Sequence, residues 1–480
     1  MEEDNEELEW DFFNHLPEEL ILKVLSYLSP YTDTKTAKLV NRRWNRLISS
    51  IERHNDRVFH EAIRTSNIMW QIHKLRSYDI TDTLVPGTHR KGAVRTKVKR
   101  QNKNVPSPRF SHAAVIMRQY LYIFSGSNSE FASGSTYNDI YRLDLSSHTW
   151  ERVQANGLLP APRECCTLVG YSTSKLPSPI PPPPHINDKG LLIMYGGWCQ
   201  PPLDNRIRVD ARFFEDTQIF HLNDLRWERL KIASPPPARA GHSASIVGDK
   251  MIIFGGSQRS DRLNDIWVFD INTLTWRHQY IRGTKPRERF GHSQFTLNEK
   301  AMIVLGGCGG PNELFADAWV LDVQTWNWIQ IKIEGAIYEP PELWCHASVL
   351  VHQDIIVFSE EKKCPHCACP IQNYKVSEFK PDANAVTCSC GRRKPEDMIS
   401  LYDNHLQMYT LDCSSLFTNS KCRWLPCQYL APAPITRKLF TASLGLNEIL
   451  LFGGLSNLYR NESPRSDDCT IAVRAKPSPS

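Results

Sequence analysis

No apolar run in this 480-residue chain approaches the roughly 18–20 residues that span a bilayer, so no membrane helix is expected. The first residues, Met1 to Trp10, are acidic where a secretory leader would be basic and then apolar; they read as a disordered tail with no export signal. Neither sign of charge dominates. A net charge of +5 and a pI near 8.4 are too mild to imply nucleic acid. The fourteen cysteines follow no regular spacing, so a disulfide framework is not expected and free thiols in a reducing compartment, cytoplasmic and/or nuclear, are. Nor does any residue set combine a nucleophile, a base and an orienting partner, so the expected catalytic residues are none.

What is present is repetition. From about residue 106 to 475 the chain says one thing six times, at a period of roughly fifty residues. The clearest copy runs Arg239-Ala-Gly-His242, Met251-Ile-Ile-Phe254, Gly255-Gly256, Asn264-Asp265 and Trp276. The next runs Arg289 to His292, Met302 to Leu305, Gly306-Gly307, Asp317 and Trp328. Earlier copies carry Arg109, His112, Asp139 and Trp150, then Arg163, Cys166, Asp216 and Trp227. A weaker fifth keeps His346 and Trp424 but has Ser359 where the glycine pair should stand, and the sixth carries Lys438, Thr441 and Gly453-Gly454. In the four well-formed copies Asp and Trp keep one interval.

Each mark has a physical job. The apolar runs are short and β-rich, as for inner strands buried on both faces. The glycines allow sharp turns where neighbouring units crowd. Asn-Asp is expected to bond nearby backbone amides and set a turn. The tryptophan supplies apolar surface between units, roughly 2–3 kcal/mol when buried. The repeated histidines are structural, since a residue that recurs with the unit serves the unit. Units of this kind cannot bury their faces alone and stack radially.

Residues 11–55 differ in kind. Leu16-Pro17-Glu18-Glu19-Leu20 starts a helix with proline at the first position and acids in the first turn. Leu16, Leu20, Val24, Leu25 and Leu28 recur at helical spacing, and a second pattern runs through Ala37, Val40, Trp44, Leu47 and Ile48. Helices this few make no sufficient core alone and invite a partner. Residues 56–105 read as a helical bridge (Phe59, Ile63, Ile68, Trp70, Ile72) followed by a basic, flexible linker.

Leu16-Pro17-x-x-Leu20, Leu25-Ser26-Tyr27-Leu28 and Val40-Asn41-Arg42-Arg43-Trp44-x-x-Leu47 closely resemble an F-box, with Asn41 where cysteine is common. The repeat resembles kelch. Together they imply an all-β six-bladed kelch β-propeller preceded by a small α-helical F-box domain. Leu305 to Leu314, Glu342 to His346, Arg212 to Glu215 and Val473 to Lys476 narrow the likeness to one F-box/kelch group whose vertebrate members carry a low-complexity insertion in the fifth blade. The resemblance implies a substrate-recognition subunit of an SCF (Skp–cullin–F-box) ubiquitin ligase. The F-box would bind the Skp adaptor, and through it cullin and the RING subunit. The propeller would hold a protein for ubiquitination and proteasomal degradation. The adaptor-binding residues so implied are Leu16, Pro17, Leu20, Leu25, Leu28, Val40, Trp44 and Leu47. The alternative is a non-ligase interaction scaffold tethered through its F-box.

Three insertions break the period. Leu176 to Pro184 is a polyproline loop. Trp198 to Arg212 brings Arg206, Arg208 and Arg212 to the face where loops between second and third strands emerge, and Arg259, Arg262 and Arg287 belong to the same face. Arginine forks suit carboxylates and phosphates, so an acidic or phosphorylated segment is the expected substrate feature. The third insertion, 359–403, holds Cys364, Cys367, Cys388 and Cys390, four thiolates that suit a closed structural zinc site; no other cofactor is expected.

Overall fold

A computed structural model describes residues 16–74, 78–85, 94–128, 136–172, 190–200, 211–360, 405–426, 433–456, 465–466 and 469–477. Three helices lead: α1 (Glu18–Leu25), α2 (Asp33–Ala37) and α3 (Arg42–Arg64). Asn41 caps α3, its side-chain oxygen accepting from Trp44 N at 2.8 Å. The asparagine at this place therefore has a local task.

The described residues after α3 are mostly strand, in a β-propeller. Among the described residues each repeat is built on four antiparallel strands, the second being Tyr120–Phe124, Leu191–Tyr195, Lys250–Gln258, Ala301–Leu305, Asp354–Glu360 and Ile449–Phe452. Parallel pairings add Asn156–Gly157 to the second sheet and join the fourth to the fifth through Asn327–Glu334 and Lys421–Trp424. Leu191–Tyr195 and Ala301–Leu305 are buried at every position, as strands sandwiched between neighbouring sheets must be. The sheets' first strands touch in succession, and the last returns to the first.

Where the first strands begin, one residue per repeat takes a left-handed backbone: Ser111, Cys165, Gly241, Gly291, Cys345 and Leu439. Their peptide groups join head to tail. Ser111 N donates to Leu439 O (3.0 Å), Cys165 N to Ser111 O (2.9 Å), Gly241 N to Cys165 O (3.1 Å), Gly291 N to Gly241 O and Cys345 N to Gly291 O (both 2.8 Å). This belt explains a non-glycine residue at positive φ, which normally costs about 1–2 kcal/mol. Inside it Ser243, Ser293, Gln294, Ser348 and Thr441 line a polar cavity of about 240 Å3.

The inner repeat marks pack as the periodicity required. Trp227 meets Phe124 of the preceding sheet, Trp276 meets Tyr195, Trp328 meets Phe254 and Trp150 meets Phe452, at ring separations of 5.0–5.1 Å. Two expectations are corrected. The repeated aspartate does not serve a turn: it receives a buried arginine of its own repeat. Arg163 pairs with both oxygens of Asp216 (2.7 and 3.0 Å), Arg239 with Asp265 (2.6 and 2.8 Å) and Arg289 with Asp317 (2.6 and 3.0 Å), while Arg109 reaches Asp139 at 2.8 Å. Each of these arginines also donates to the carbonyl directly after the apolar run of its second strand, for example Arg239 to Gly255 O at 3.0 Å. A guanidinium offers five donors in a plane, enough to tie these chain segments at once.

The second correction concerns residues 56–105. The helix ends at Arg64, Ser66 turns left-handed, and Ile68–Lys74 is a strand. It pairs with Cys469–Ala475, Trp70 opposite Val473, as the outer strand of the last sheet. Helical spacing of its apolar residues competed with β-propensity, and a free sheet edge decided between them. The basic segment lies partly in a hairpin, Tyr78–Val85 with Val94–Gln101, in place of a linker.

Candidate interaction surfaces

The three helices enclose a small core of Ile21, Leu25, Ala37, Leu47 and Ile48. Leu16, Leu28 and Trp44 pack half-buried against it. Leu25 and Leu47, named from the sequence as adaptor contacts, are thus spent on the helices' own packing. Pro17, Leu20 and Val40 face solvent, joined by Val24, Tyr27 and Leu39, which lie outside the sequence-derived set. Leu39 is 84 % exposed and Tyr27 80 %, too much for residues whose only role is internal.

This apolar face is mounted on the propeller at three points. Phe59, Ala62 and Ile63 of α3 enter one core with Val349, Phe358 and Ile471 of the last two sheets. Beside them Arg64 donates two 2.9 Å bonds to Asp354 and one to Asp412, and His60 meets Asp354 at 2.9 Å. Burial raises the Asp354 pKa, a shift that Arg64 and His60 only partly oppose; burial also pushes Asp412 upward, but bonds from Arg64 and Ser414 hold it below its ordinary value. On the other side of the helices Tyr31 donates to Glu448 at 2.6 Å, and Arg474 binds the same carboxylate at 2.8 Å. The sequence alone missed these mounts. A histidine and an arginine four apart on one helix face were a signal, but not one with a nameable partner.

On the propeller, Arg206 and Arg208 lie outside the described residues, as do Cys364, Cys367, Cys388, Cys390 and the polyproline loop. Arg212 is exposed in the short hairpin Trp198–Cys199/Arg212–Phe213, its guanidinium 5.1 Å from the Phe214 ring. Arg259 is an exposed turn residue. Arg262 is folded back, donating to Ser260 O at 3.0 Å and lying 4.8 Å over Phe290. Arg287 pairs with Glu313 at 2.7 Å. So two of the described arginines point charge outward and two are engaged locally. The face also buries a carboxyl, Glu164, whose pKa desolvation pushes up to about 7.

His112, His242, His292 and His346 each reach back to a hydroxyl of the preceding sheet: Thr441 (2.8 Å), Thr167 (3.0 Å), Ser243 (2.6 Å) and Ser293 (2.8 Å). Burial, helped by neighbouring arginines at the first three, lowers their pKa values, to about 3 for His112 and His242 and about 4 for His346. They are neutral inter-sheet ties. Among the described residues no group of three or more His, Cys, Asp or Glu is placed to hold a metal. Nor is any described helix long and apolar enough to cross a membrane.

The F-box-like family model matches residues 13–55, and the model described as "FBX42, beta-propeller domain" matches 109–328. The chain is an F-box/kelch protein. The narrower likeness read from Leu305–Leu314 and Arg212–Glu215 points to the same propeller group. This F-box/kelch protein is 27 % identical over 276 residues to Kelch domain-containing protein 2 of Bos taurus, covering 53 % of this chain and 62 % of that one. It is 28 % identical over 232 residues to Acyl-CoA-binding domain-containing protein 4 of Arabidopsis thaliana, covering 48 % and 32 %. Adagio protein 3 of the same plant is 32 % identical over 158 residues, covering 31 % and 25 %. The chain thus spans from a quarter to under two thirds of these relatives' lengths. The solved "Structure of YjhT" aligns at a TM-score of 0.48 with 13 % identity, covering 77 % of this chain and 96 % of that one.

Proposed function

We propose that this F-box/kelch protein is the substrate-recognition subunit of an SCF-type ubiquitin ligase, with a six-bladed propeller as the substrate platform. The helices bind the Skp adaptor, cullin and the RING subunit follow through it, and the propeller presents a bound protein for ubiquitination. The observation that carries this reading is the exposed apolar face of Leu20, Val24, Tyr27, Leu39 and Val40 on a helical unit anchored to the propeller. Exposed apolar side chains gathered on one small helical unit mark a surface that binds another protein. Rate enhancement here is positional: a lysine held near a ubiquitin-charged enzyme reacts at high effective concentration. F-box plus propeller is an architecture of non-catalytic adaptors, consistent with that division of labour.

The test is co-purification of the full chain with adaptor and cullin. Leu20→Glu with Val40→Glu leaves the helical core intact, because both side chains are exposed, and is expected to abolish capture. Unchanged capture by that folded variant would overturn the reading. The substrate feature we propose is an acidic or phosphorylated segment held by Arg212 and Arg259. Charge reversal at both is expected to lose substrates while the adaptor stays bound; retention of every substrate would reject this part alone.

A further inference from the structure

Cys413 follows the third strand of the fifth sheet (Leu406–Asp412), and Cys422 lies in the fourth (Lys421–Trp424). Leu411 pairs with Trp424 and Asp412 with Arg423, so the next step of the register sets the two cysteines opposite each other. Leu425 N donates to Thr410 O at 2.9 Å, making that pair a hydrogen-bonded one. Hydrogen-bonded and non-hydrogen-bonded pairs alternate along an antiparallel ladder, and 413/422 falls on a non-hydrogen-bonded step.

The rest of the backbone agrees. The Cys413 amide donates to Gln353 O, and its carbonyl accepts from Leu416 N, both at 3.0 Å. At non-hydrogen-bonded steps the Cα atoms come to about 4.5 Å, inside the span a disulfide bridges. The two Sγ atoms are 3.1 Å apart, and both residues are buried.

We propose that Cys413 and Cys422 are an oxidisable pair that closes to an intrachain disulfide. With peroxide as oxidant, one thiol becomes a sulfenic acid with release of one water. The second sulfur then displaces the hydroxyl, releasing a second water and forming S–S. Two electrons leave the sulfurs and reduce the peroxide. Burial makes the closure slow beside exposed thiols and, once formed, shields the bond from glutathione.

The bond has a structural consequence. It brackets α4 (Leu416–Asn419), whose Leu416 and Phe417 form one wall of a groove of about 570 Å3. Ile329 and Ile331 of the fourth sheet form the other. Oxidation fixes that wall.

The experiment exposes the full chain to a peroxide series, unfolds it in alkylating reagent, and maps peptides without reduction. The expected product links the Cys413 and Cys422 peptides with the loss of two hydrogens, and survives glutathione until the chain is unfolded. Its thermal midpoint rises by a few degrees, since a closed loop of about ten residues constrains the unfolded chain. The double variant Cys413→Ala, Cys422→Ala keeps an apolar pair in place and is expected to show no shift on oxidation. Both cysteines fully alkylated after oxidation, or either linked elsewhere, would overturn the proposal. So would an equal shift in the double variant.

Discussion

His112, His242, His292 and His346 bind one sheet to the one before it as neutral rings, and this makes the propeller acid-sensitive in a calculable direction. Each has a folded pKa well under the ordinary 6.5. Below 6.5 the unfolded chain takes up protons that the folded chain refuses, so stability is full above that pH and is lost as pH falls toward 3–4. Each ring costs about 1.4 kcal/mol per pH unit in that window. Glu164 acts oppositely: its raised pKa makes the folded form hold the proton up to about 7, which offsets part of one ring's effect above 4.5. Urea midpoints are expected to drop steeply from pH 6.5 to 5, and His242→Gln is expected to remove about one proton from the slope. A flat profile would reject neutral burial. The buried arginines give a second prediction. Arg239→Met leaves Asp265 without its bidentate partner, an expected loss of about 3 kcal/mol in chemical denaturation. Adding Asp265→Ala should recover part of it.

Helix α3 belongs to two bodies at once. Leu47 and Ile48 complete the helical core, while Phe59, Ala62 and Ile63 complete the propeller's. Its end needs no linker, since Asn67 N bonds Ala62 O at 2.8 Å and the closing strand starts at Ile68. The ionic mount of Arg64 and His60 on Asp354 fixes the helix direction, and the Tyr31–Glu448 bond fixes rotation about it. Arg64→Ala with Tyr31→Phe is therefore expected to raise amide exchange through residues 57–64 and, because it strips the buried Asp354 of its arginine, to lower the thermal midpoint of the propeller as well. The exposed Arg57 serves as control: Arg57→Ala should leave exchange as in the parent. Under the proposed ligase role, adaptor capture is expected to survive the double variant while ubiquitin transfer to a bound substrate slows, because the propeller's distance and orientation to the helices are no longer held.

At the scale of the whole molecule, closure depends on a strand that belongs by sequence position to the helical region. Chains starting at residue 66 keep Ile68–Lys74 against Cys469–Ala475, whereas chains starting at residue 76 leave that edge bare. The first are expected to be less soluble than the full chain, because the apolar seat of Phe59 and Ile63 is uncovered, yet folded. The second are expected to aggregate or melt many degrees lower, an unpaired buried-sheet edge being costly. Thermal scans of the two truncations decide it. The amino-acid sequence determined the repeat, its inner strands, the tryptophan contacts between sheets and the F-box-like helices, because each is a local pattern repeated at a fixed interval. Asp265 is visible in the sequence, but its partner Arg239 lies twenty-six positions away, and short-range turn chemistry is the only role adjacency suggests. Only the tertiary structure decided that Ile68–Lys74 is a strand, that Leu25 and Leu47 are core while Leu39 and Val40 are surface, and that Cys413 faces Cys422. Periodicity tells which residues share a face; what that face meets is settled by chain segments far away in sequence that compete for the same edge, pocket or charge.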